Sequence, residues 1–481
     1  MSTSDFRRAA HQLADLTADY LESLEHARPA SPVASPARPG DTSALLPEHA
    51  PQTGEPWDDL LADVNRLIMP GLTHWQHPRF FGYFPCNTTP PAILAEFLSA
   101  TLNAQGMLWA TSPVYTELET RVLDWLVHLL ALPERFLSTH ATADGARPGG
   151  VIQGTASEAA LVCMLAARDR ARAAHNAPIE RLVAYTSVQA HSSIAKDARI
   201  AGLLPDHLRL IPTDAQHRMR PDALARAIEQ DLAQNLTPFF ACATLGTTSS
   251  ASVDPLAEIA PITKRHNLWL HVDAAYAGSA CVCPEHRWII QGAEHADSFN
   301  FNPHKWLLTT FDCSALFLAD RTPVLNALSI TPEYLRNKAS DSGAVIDYRD
   351  WQIPLGRRFR ALKLWWVLRS YGVEGLQAHI RRHIQLAERF ESLLATDDRF
   401  ELPCPRMFSL VCFRMKGDDD RTRELHRRLT DSRETVLTHT TLPDATGASR
   451  YVLRMAIGGV YTQQTHIDET WALIRRCADA L

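Results

Sequence analysis

The chain carries nine cysteines yet no Cys-x-x-Cys pair, the nearest spacing being Cys281-Val282-Cys283. A Cys-x-x-Cys redox or metal motif is therefore excluded, and cysteines set in apolar stretches (Cys163, Cys242, Cys412) read as reduced thiols of a cytoplasmic protein. No apolar run approaches the ~20 residues that span a bilayer, and no secretory signal is visible. Basic charge is not in excess. With 48 Lys and Arg against 54 Asp and Glu the net charge is −6, which gives no reason to expect nucleic acid or an anionic membrane as partner. A metal site is missing too, since His74-Trp75-Gln76-His77 has two histidines and no third ligand nearby.

What is present is a long, apolar-rich chain. Its 481 residues, 46% hydrophobic, suffice for large cores in two or three domains. Residues 1–85 open with an amphipathic helix (Phe6, Leu13, Leu16, Tyr20 and Leu24 among acidic positions) and continue through a Pro/Ala/Ser-rich stretch, 28–51, which is extended: a linker or a packed arm. Residues 86–380 alternate helices with short apolar strands, the pattern of a mostly parallel sheet. Residues 381–481 combine charged helices with strands such as Tyr451-Val452-Leu453-Arg454-Met455-Ala456, a small separate α+β domain.

Three motifs carry chemistry. In Ser298-Phe299-Asn300-Phe301-Asn302-Pro303-His304-Lys305-Trp306, a buried strand ends at Pro303 and leaves Lys305 at its mouth beside apolar residues. Poor solvation there keeps the amine neutral and nucleophilic, whereas an isolated lysine is ordinarily a snorkelling surface side chain. About thirty residues upstream, Trp269-Leu270-His271-Val272-Asp273-Ala274-Ala275-Tyr276 reads as a second buried strand with Asp273 at its carboxyl end. Ligands of open α/β sheets bind beyond such ends, so Asp273 and Lys305 are expected to face one crevice. A carboxylate paired with a Schiff-base lysine is what pyridoxal phosphate (PLP) requires: the acid holds the ring nitrogen protonated and the lysine binds the aldehyde. The third motif, Gly149-Gly150-Val151-Ile152-Gln153-Gly154-Thr155-Ala156-Ser157-Glu158, runs into a strong helix. Small residues at a helix start admit a phosphate dianion to backbone N–H groups. The same residues also make a plain helix start with Thr155 and Glu158 as a capping box.

These blocks, in this order, resemble the group II PLP-dependent decarboxylases, most closely the aromatic-L-amino-acid decarboxylases, the bacterial-type tryptophan, tyrosine and DOPA enzymes included. The likeness extends through His77-Pro78-Arg79-Phe80-Phe81-Gly82-Tyr83-Phe84-Pro85, Gln189-Ala190-His191-Ser192-Ser193, Ala243-Thr244-Leu245-Gly246-Thr247-Thr248 and Asp350-Trp351-Gln352-Ile353-Pro354-Leu355-Gly356-Arg357. It weakens over 28–56 and after about 415. The resemblance implies an α/β PLP-dependent transferase fold (fold type I), with an N-terminal helical arm that wraps a partner subunit, a large PLP domain and a small C-terminal domain.

By the same resemblance His191 stacks on the cofactor ring, Thr155, Ala156, Ser157 and Asn302 hold the phosphate with His304 adjoining the lysine, and Thr248 and Ala275 flank the ring. Trp75, Tyr83, Phe84, Pro85 and Cys86 line an aromatic substrate pocket, with Gln105, Met107 and a lid supplied across a homodimer. Tyr334, in a Pro-Glu-Tyr context, matches the lid tyrosine that donates a proton to Cα; related oxygen-consuming aldehyde synthases carry phenylalanine there. A rim or core tyrosine is the bland reading. Gly356 stands where plant relatives with glycine favour indoles, which tilts the substrate to tryptophan, with tyrosine, DOPA and phenylalanine open. Cys86-Asn87-Thr88-Thr89, Gln105 and Met107 depart from the animal enzymes, so catechol preference does not carry over. Arg454 is either a carboxylate clamp, as a transaminase needs, or structural; a decarboxylase gains nothing from clamping the departing carboxylate.

Overall fold

A computed structural model of the chain describes all residues except 28–31, 141, 143–144, 331–334, 336–337 and 342–344. Its centre is a seven-stranded sheet in the order β1-β7-β6-β5-β4-β2-β3. The strands are β1 (Gly149–Gln153), β2 (Leu182–Ser187), β3 (Leu208–Ile211), β4 (Thr237–Thr244), β5 (Trp269–Asp273), β6 (Ser298–Phe301) and β7 (Ser314–Leu318). β7 runs antiparallel to both β6 and β1, and the remaining pairs are parallel. Near-continuous burial of these short strands follows from helices on both faces.

Alternation along the strands assigns each residue to a face. Leu270, Val272, Phe299, Phe301, Ala241 and Phe317 join one core with the Pro113–Leu130 and Leu256–Arg265 helices. Trp269, Cys242, Phe240, Leu316 and Leu318 join the other, under the Ala156–His175 and Ser192–Ile200 helices. His271 and Asp273 share the second face with Trp269.

A four-stranded antiparallel sheet, β10-β11-β9-β8, forms the small C-terminal layer. It comprises β8 (Phe400–Glu401), β9 (Leu410–Met415), β10 (Thr438–Pro443) and β11 (Ser449–Ala456). The Arg360–Leu394 helix joins the two layers and bends at Gly372, whose φ is 61°. Leu364, Val367 and Ile380 serve the first core, and Leu386, Phe390 and Leu394 the core of the small sheet. The expected division at 380 falls inside this helix.

The amino-terminal helix, Thr3–Glu25, is capped by Ser2 and Asp5 in a reciprocal box. It buries only Ala9 and Leu24, and Phe6 stacks on Phe97 at 6.4 Å. From the proline-rich stretch Val33 is fully buried, donating its amide to the Arg433 carbonyl at 2.7 Å and accepting from the His74 amide at 2.9 Å. That part is a packed arm. No helix among the described residues is long and apolar enough to cross a membrane.

Candidate active site

The parallel strands β1, β2, β4, β5 and β6 deliver their carboxyl ends to one place. A cavity of about 180 Å³ there is lined by Thr155, Ala156, Ser157, His191, Thr248, Asp273, Ala275, Asn302, His304 and Lys305. All ten cofactor-binding candidates from the sequence thus meet around one space. Phe84, Ser193, Thr244, Gly246 and Tyr276 complete the wall. Gly246 is required as glycine: its φ is +92°, and a Cβ would stand 2.7 Å from the Ala277 Cβ.

Each side chain is held by its local fold. Thr155 caps the Ala156–His175 helix, its hydroxyl accepting from the Glu158 amide at 3.3 Å, while the Glu158 carboxylate accepts from the Gly154 amide at 2.9 Å. Capping and cavity lining therefore coexist in the same residues. Asp273 ends β5, and its Oδ1 accepts the Ala275 amide at 3.0 Å. His191 caps the Ser192–Ile200 helix: Nδ1 accepts the Ser193 amide at 3.1 Å and lies 2.9 Å from the Ser193 hydroxyl. With Nδ1 accepting, the neutral ring carries its proton on Nε2. Burial, reinforced by Lys305 and opposed by Asp273, pushes His191 below the usual imidazole range.

Lys305 sits in a single helical turn, Pro303–Trp306, rather than in open loop. Its amide donates to the Asn302 carbonyl at 3.0 Å, and its carbonyl accepts from Asn87 Nδ2 at 3.2 Å. The amine lies 5.3 Å from the centre of the Phe84 ring. Burial lowers the Lys305 ammonium from its usual range, Asp273 opposes the shift and Arg454 adds to it. Next to it, His304 accepts the Cys313 amide at Nδ1 (2.9 Å), and burial, aided by Lys305, pushes it down to about 3.

A second, wider cavity of about 740 Å³ opens from the first and shares Phe84, His191, Thr248, His304 and Lys305 with it. Trp75, Tyr83, Phe84, Pro85 and Cys86 line it, so five of the substrate candidates stand beside the lysine. Trp75 stacks on Tyr83 with centroids 5.4 Å apart. Gln105 and Gly356 lie elsewhere, on a separate cavity of about 400 Å³, and Met107 lines none of these three. Tyr334 lies outside the described residues.

Sequence reasoning missed the wall contributed by the small sheet. Thr438, His439 and Thr440 of β10, His426 and Phe311 all line the wide cavity. It also missed the role of Ser249, where three strands converge. The Ser249 hydroxyl is 2.8 Å from that of Thr440 (β10), and its carbonyl accepts from Arg454 Nε (β11) at 3.2 Å and the Cys412 thiol (β9) at 3.3 Å. No local signal in the sequence marks these long-range contacts. Arg454 further donates to Thr438 Oγ1 at 2.8 Å and to the Tyr83 carbonyl at 3.1 Å. All three of its nitrogens are committed, which favours the structural reading.

The inner cavity suits PLP by the atoms it leaves unsatisfied. Asn302 Oδ1 and Thr244 Oγ1 are buried there with no hydrogen-bond partner among the described residues, an arrangement that a polar ligand relieves. A helix start for a phosphate, a carboxylate for a ring nitrogen and a desolvated amine for an aldehyde surround the same space. Among the described residues no cluster of His, Cys, Asp or Glu could hold a metal ion.

Comparison with known proteins gives the same direction. The conserved domain of pyridoxal-dependent decarboxylases matches residues 39–416. Tryptophan decarboxylase 2 of Oryza sativa subsp. japonica is 48% identical over 485 residues, covering 99% of this chain and 95% of that protein. Phenylacetaldehyde synthase of Arabidopsis thaliana is 47% identical over 491 residues, covering 100% and 97%. A crystal structure of Oryza sativa TDC with PLP and tryptamine superposes with a TM-score of 0.94 at 39% identity, covering 100% of this chain and 99% of the other. Fold, cavity and full-length kinship agree: the chain belongs to the pyridoxal-dependent decarboxylase family and is built for PLP.

Proposed function

We propose that this protein decarboxylates an aromatic L-amino acid to its arylalkylamine and CO2. The observation that carries the reading is the meeting of the desolvated Lys305, Asp273 and His191 with an aromatic wall in one connected cavity. Bound PLP supplies a carbonyl for amines to join and a ring that takes up the electron pair left as CO2 departs.

The chain's own residues do the rest. Lys305 offers a neutral amine, because burial disfavours its ammonium. Asp273 holds a proton on the ring nitrogen through a charge-assisted hydrogen bond in a dry site. His191, its ring orientation fixed by Ser193, would cover one face of the cofactor. Thr155, Ala156 and Ser157 would present the helix start to the phosphate, with Asn302 and His304 beside it, and Thr248 and Ala275 would flank the ring. Trp75, Tyr83, Phe84, Pro85 and Cys86 receive a planar side chain. Arg454 is occupied with Tyr83, Ser249 and Thr438, which leaves the substrate carboxylate unclamped and supports loss of CO2 over transamination. Tyr334 gives its phenolic proton to Cα.

The active unit is a cytoplasmic homodimer in which Gln105 and Met107 of one copy reach the pocket of the other. Neither residue lines the cavities around Lys305 within one chain, which supports this, as do Phe6, Leu94 and Phe97, which are exposed. Sedimentation of a fully active monomer would remove it. Tryptophan is the favoured substrate, on the kinship with tryptophan decarboxylase 2 and on Gly356, which adjoins Gln105 (a Cβ there would stand 3.3 Å from Gln105 Oε1) and would reach the partner's pocket with it.

The kinship with phenylacetaldehyde synthase supports a second reading, oxygen-dependent aldehyde formation on the same scaffold. One assay separates the two: PLP-loaded protein in air with L-Trp, L-Tyr, L-Phe, L-DOPA, L-Glu and L-His, scored for CO2, amine, aldehyde and peroxide. Stoichiometric CO2 and amine from an aromatic substrate is expected. Aldehyde with peroxide would give the second reading, and turnover of Glu or His alone would overturn both.

A further inference from the structure

One buried carboxyl behind the cofactor cavity has no part in the chemistry above. Asp197 is 2% exposed, and its Oδ2 has no hydrogen-bond partner among the described residues. It lies on the helix that His191 caps, which buries Ser193, Ile194, Asp197 and Ala198. Asp197 is therefore one turn beyond Ser193 on the same helix face, and Ser193 lines the cavity. Ile194 and Ala198 share a core with Cys242 and Trp269, the sheet face to which Asp273 also points. The Asp273 charge adds to the rise of the Asp197 carboxyl, as expected for two carboxyls on facing elements behind one cavity.

A buried carboxylate with an oxygen left unpaired is costly, and keeping its proton avoids that cost. Burial raises the Asp197 carboxyl to about 7, with Lys196 pulling it back and Asp273 adding to the rise.

We propose that Asp197 is a positioning residue for the cofactor, acting through Asp273, and that its charge state sets how tightly a protonated ring is held. The inference rests on the reading that Asp273 pairs with the ring nitrogen. When Asp197 releases its proton to water, a second negative charge backs Asp273 and the ring cation is held more firmly. When the proton stays, Asp273 acts alone. Linkage runs both ways: a cation seated on Asp273 relieves the repulsion between the two carboxyls, so cofactor binding draws the proton off Asp197.

The other titratable groups on the elements around Asp197 are shifted away from this range. Cys163 on the Ala156–His175 helix is pushed up to about 12, and Cys242 on β4 stands well above the usual thiol range. On β5, burial pushes His271 down to about 4, and on its own helix His191 lies below the usual imidazole range.

The test is the dissociation constant of PLP from pH 6 to 8.5, by equilibrium dialysis, for wild type, Asp197→Asn and Asp273→Asn. Over that range wild type should gain roughly three- to tenfold in affinity relative to Asp197→Asn, which still binds through Asp273. Superimposable pH profiles for wild type and Asp197→Asn, with binding weakened in Asp273→Asn, would overturn the Asp197 assignment alone. Unweakened binding in Asp273→Asn would overturn the Asp273 reading and this inference with it. Infrared difference spectra of wild type need no variant: PLP added to apoprotein at pH 7 should bleach a protonated-carboxyl band, identified by its deuterium shift. Absence of that bleach would also overturn the proposal.

Discussion

Arg454 on the small sheet donates to the backbone carbonyl of Tyr83 at 3.1 Å, and so ties the C-terminal layer to the wall of the wide cavity. Tyr83 needs the tie. Its φ of 56° is a left-handed conformation that a bulky side chain adopts only when its surroundings impose it. Thr438 supplies the second hold, accepting the Tyr83 amide at 3.2 Å.

Replacing Arg454 by Ala should release Tyr83 and Ser249 together. The expected cost is about 2–4 kcal/mol in urea unfolding, from lost charge-assisted bonds and stranded buried carbonyls. If the substrate wall relaxes as argued, KM for the aromatic substrate rises more than kcat falls. A carboxylate clamp would instead be revealed by a kcat collapse with unchanged stability.

Lys305→Ala should abolish the visible absorbance of lysine-linked cofactor and the turnover with it. PLP would still associate through Asp273 and the helix start, at lower affinity. A band that survives in the variant and is still fixed to protein by borohydride would reassign the lysine.

Tyr334→Phe tests the proton donor. Amine yield should fall, with aldehyde and peroxide rising in its place, because Cα would lose the proton source that leads to amine. Unchanged amine yield would take Tyr334 out of the reaction.

Much of this was legible in the sequence because the key groups sit in short contiguous motifs at strand ends. Asp273 ends β5, Lys305 follows β6 and Thr155 follows β1, and because these three strands run in one direction their carboxyl ends fall on the same edge of the sheet. The small sheet's contribution was not legible. Ser249 meets Cys412, Thr440 and Arg454 across more than 160 residues of chain, and nothing local announces such pairings. Gln105 and Gly356 could be named but not placed at the pocket, since a single chain puts them on another cavity. Asp197 was passed over for a different reason. Between Lys196 and Arg199 it looks like part of a solvated charged face, and only the tertiary fold buries it.

That burial has a measurable consequence for the apoprotein. Below about pH 4 Asp197 is protonated in the folded and unfolded states alike, and its titration costs nothing. As pH rises the unfolded chain ionises it first, while the fold retains the proton until about 7. Folding stability attributable to this group is therefore fully present at low pH, is lost between about pH 4 and 7, and levels off above. Asp197→Asn cannot titrate and has no such slope. Urea unfolding of the two apoproteins should diverge across that window in favour of the variant, by on the order of 4 kcal/mol at most. Parallel stability curves from pH 4 to 8 would mean that Asp197 ionises freely in the fold, and its lone buried oxygen would then have a partner that stabilises the charge.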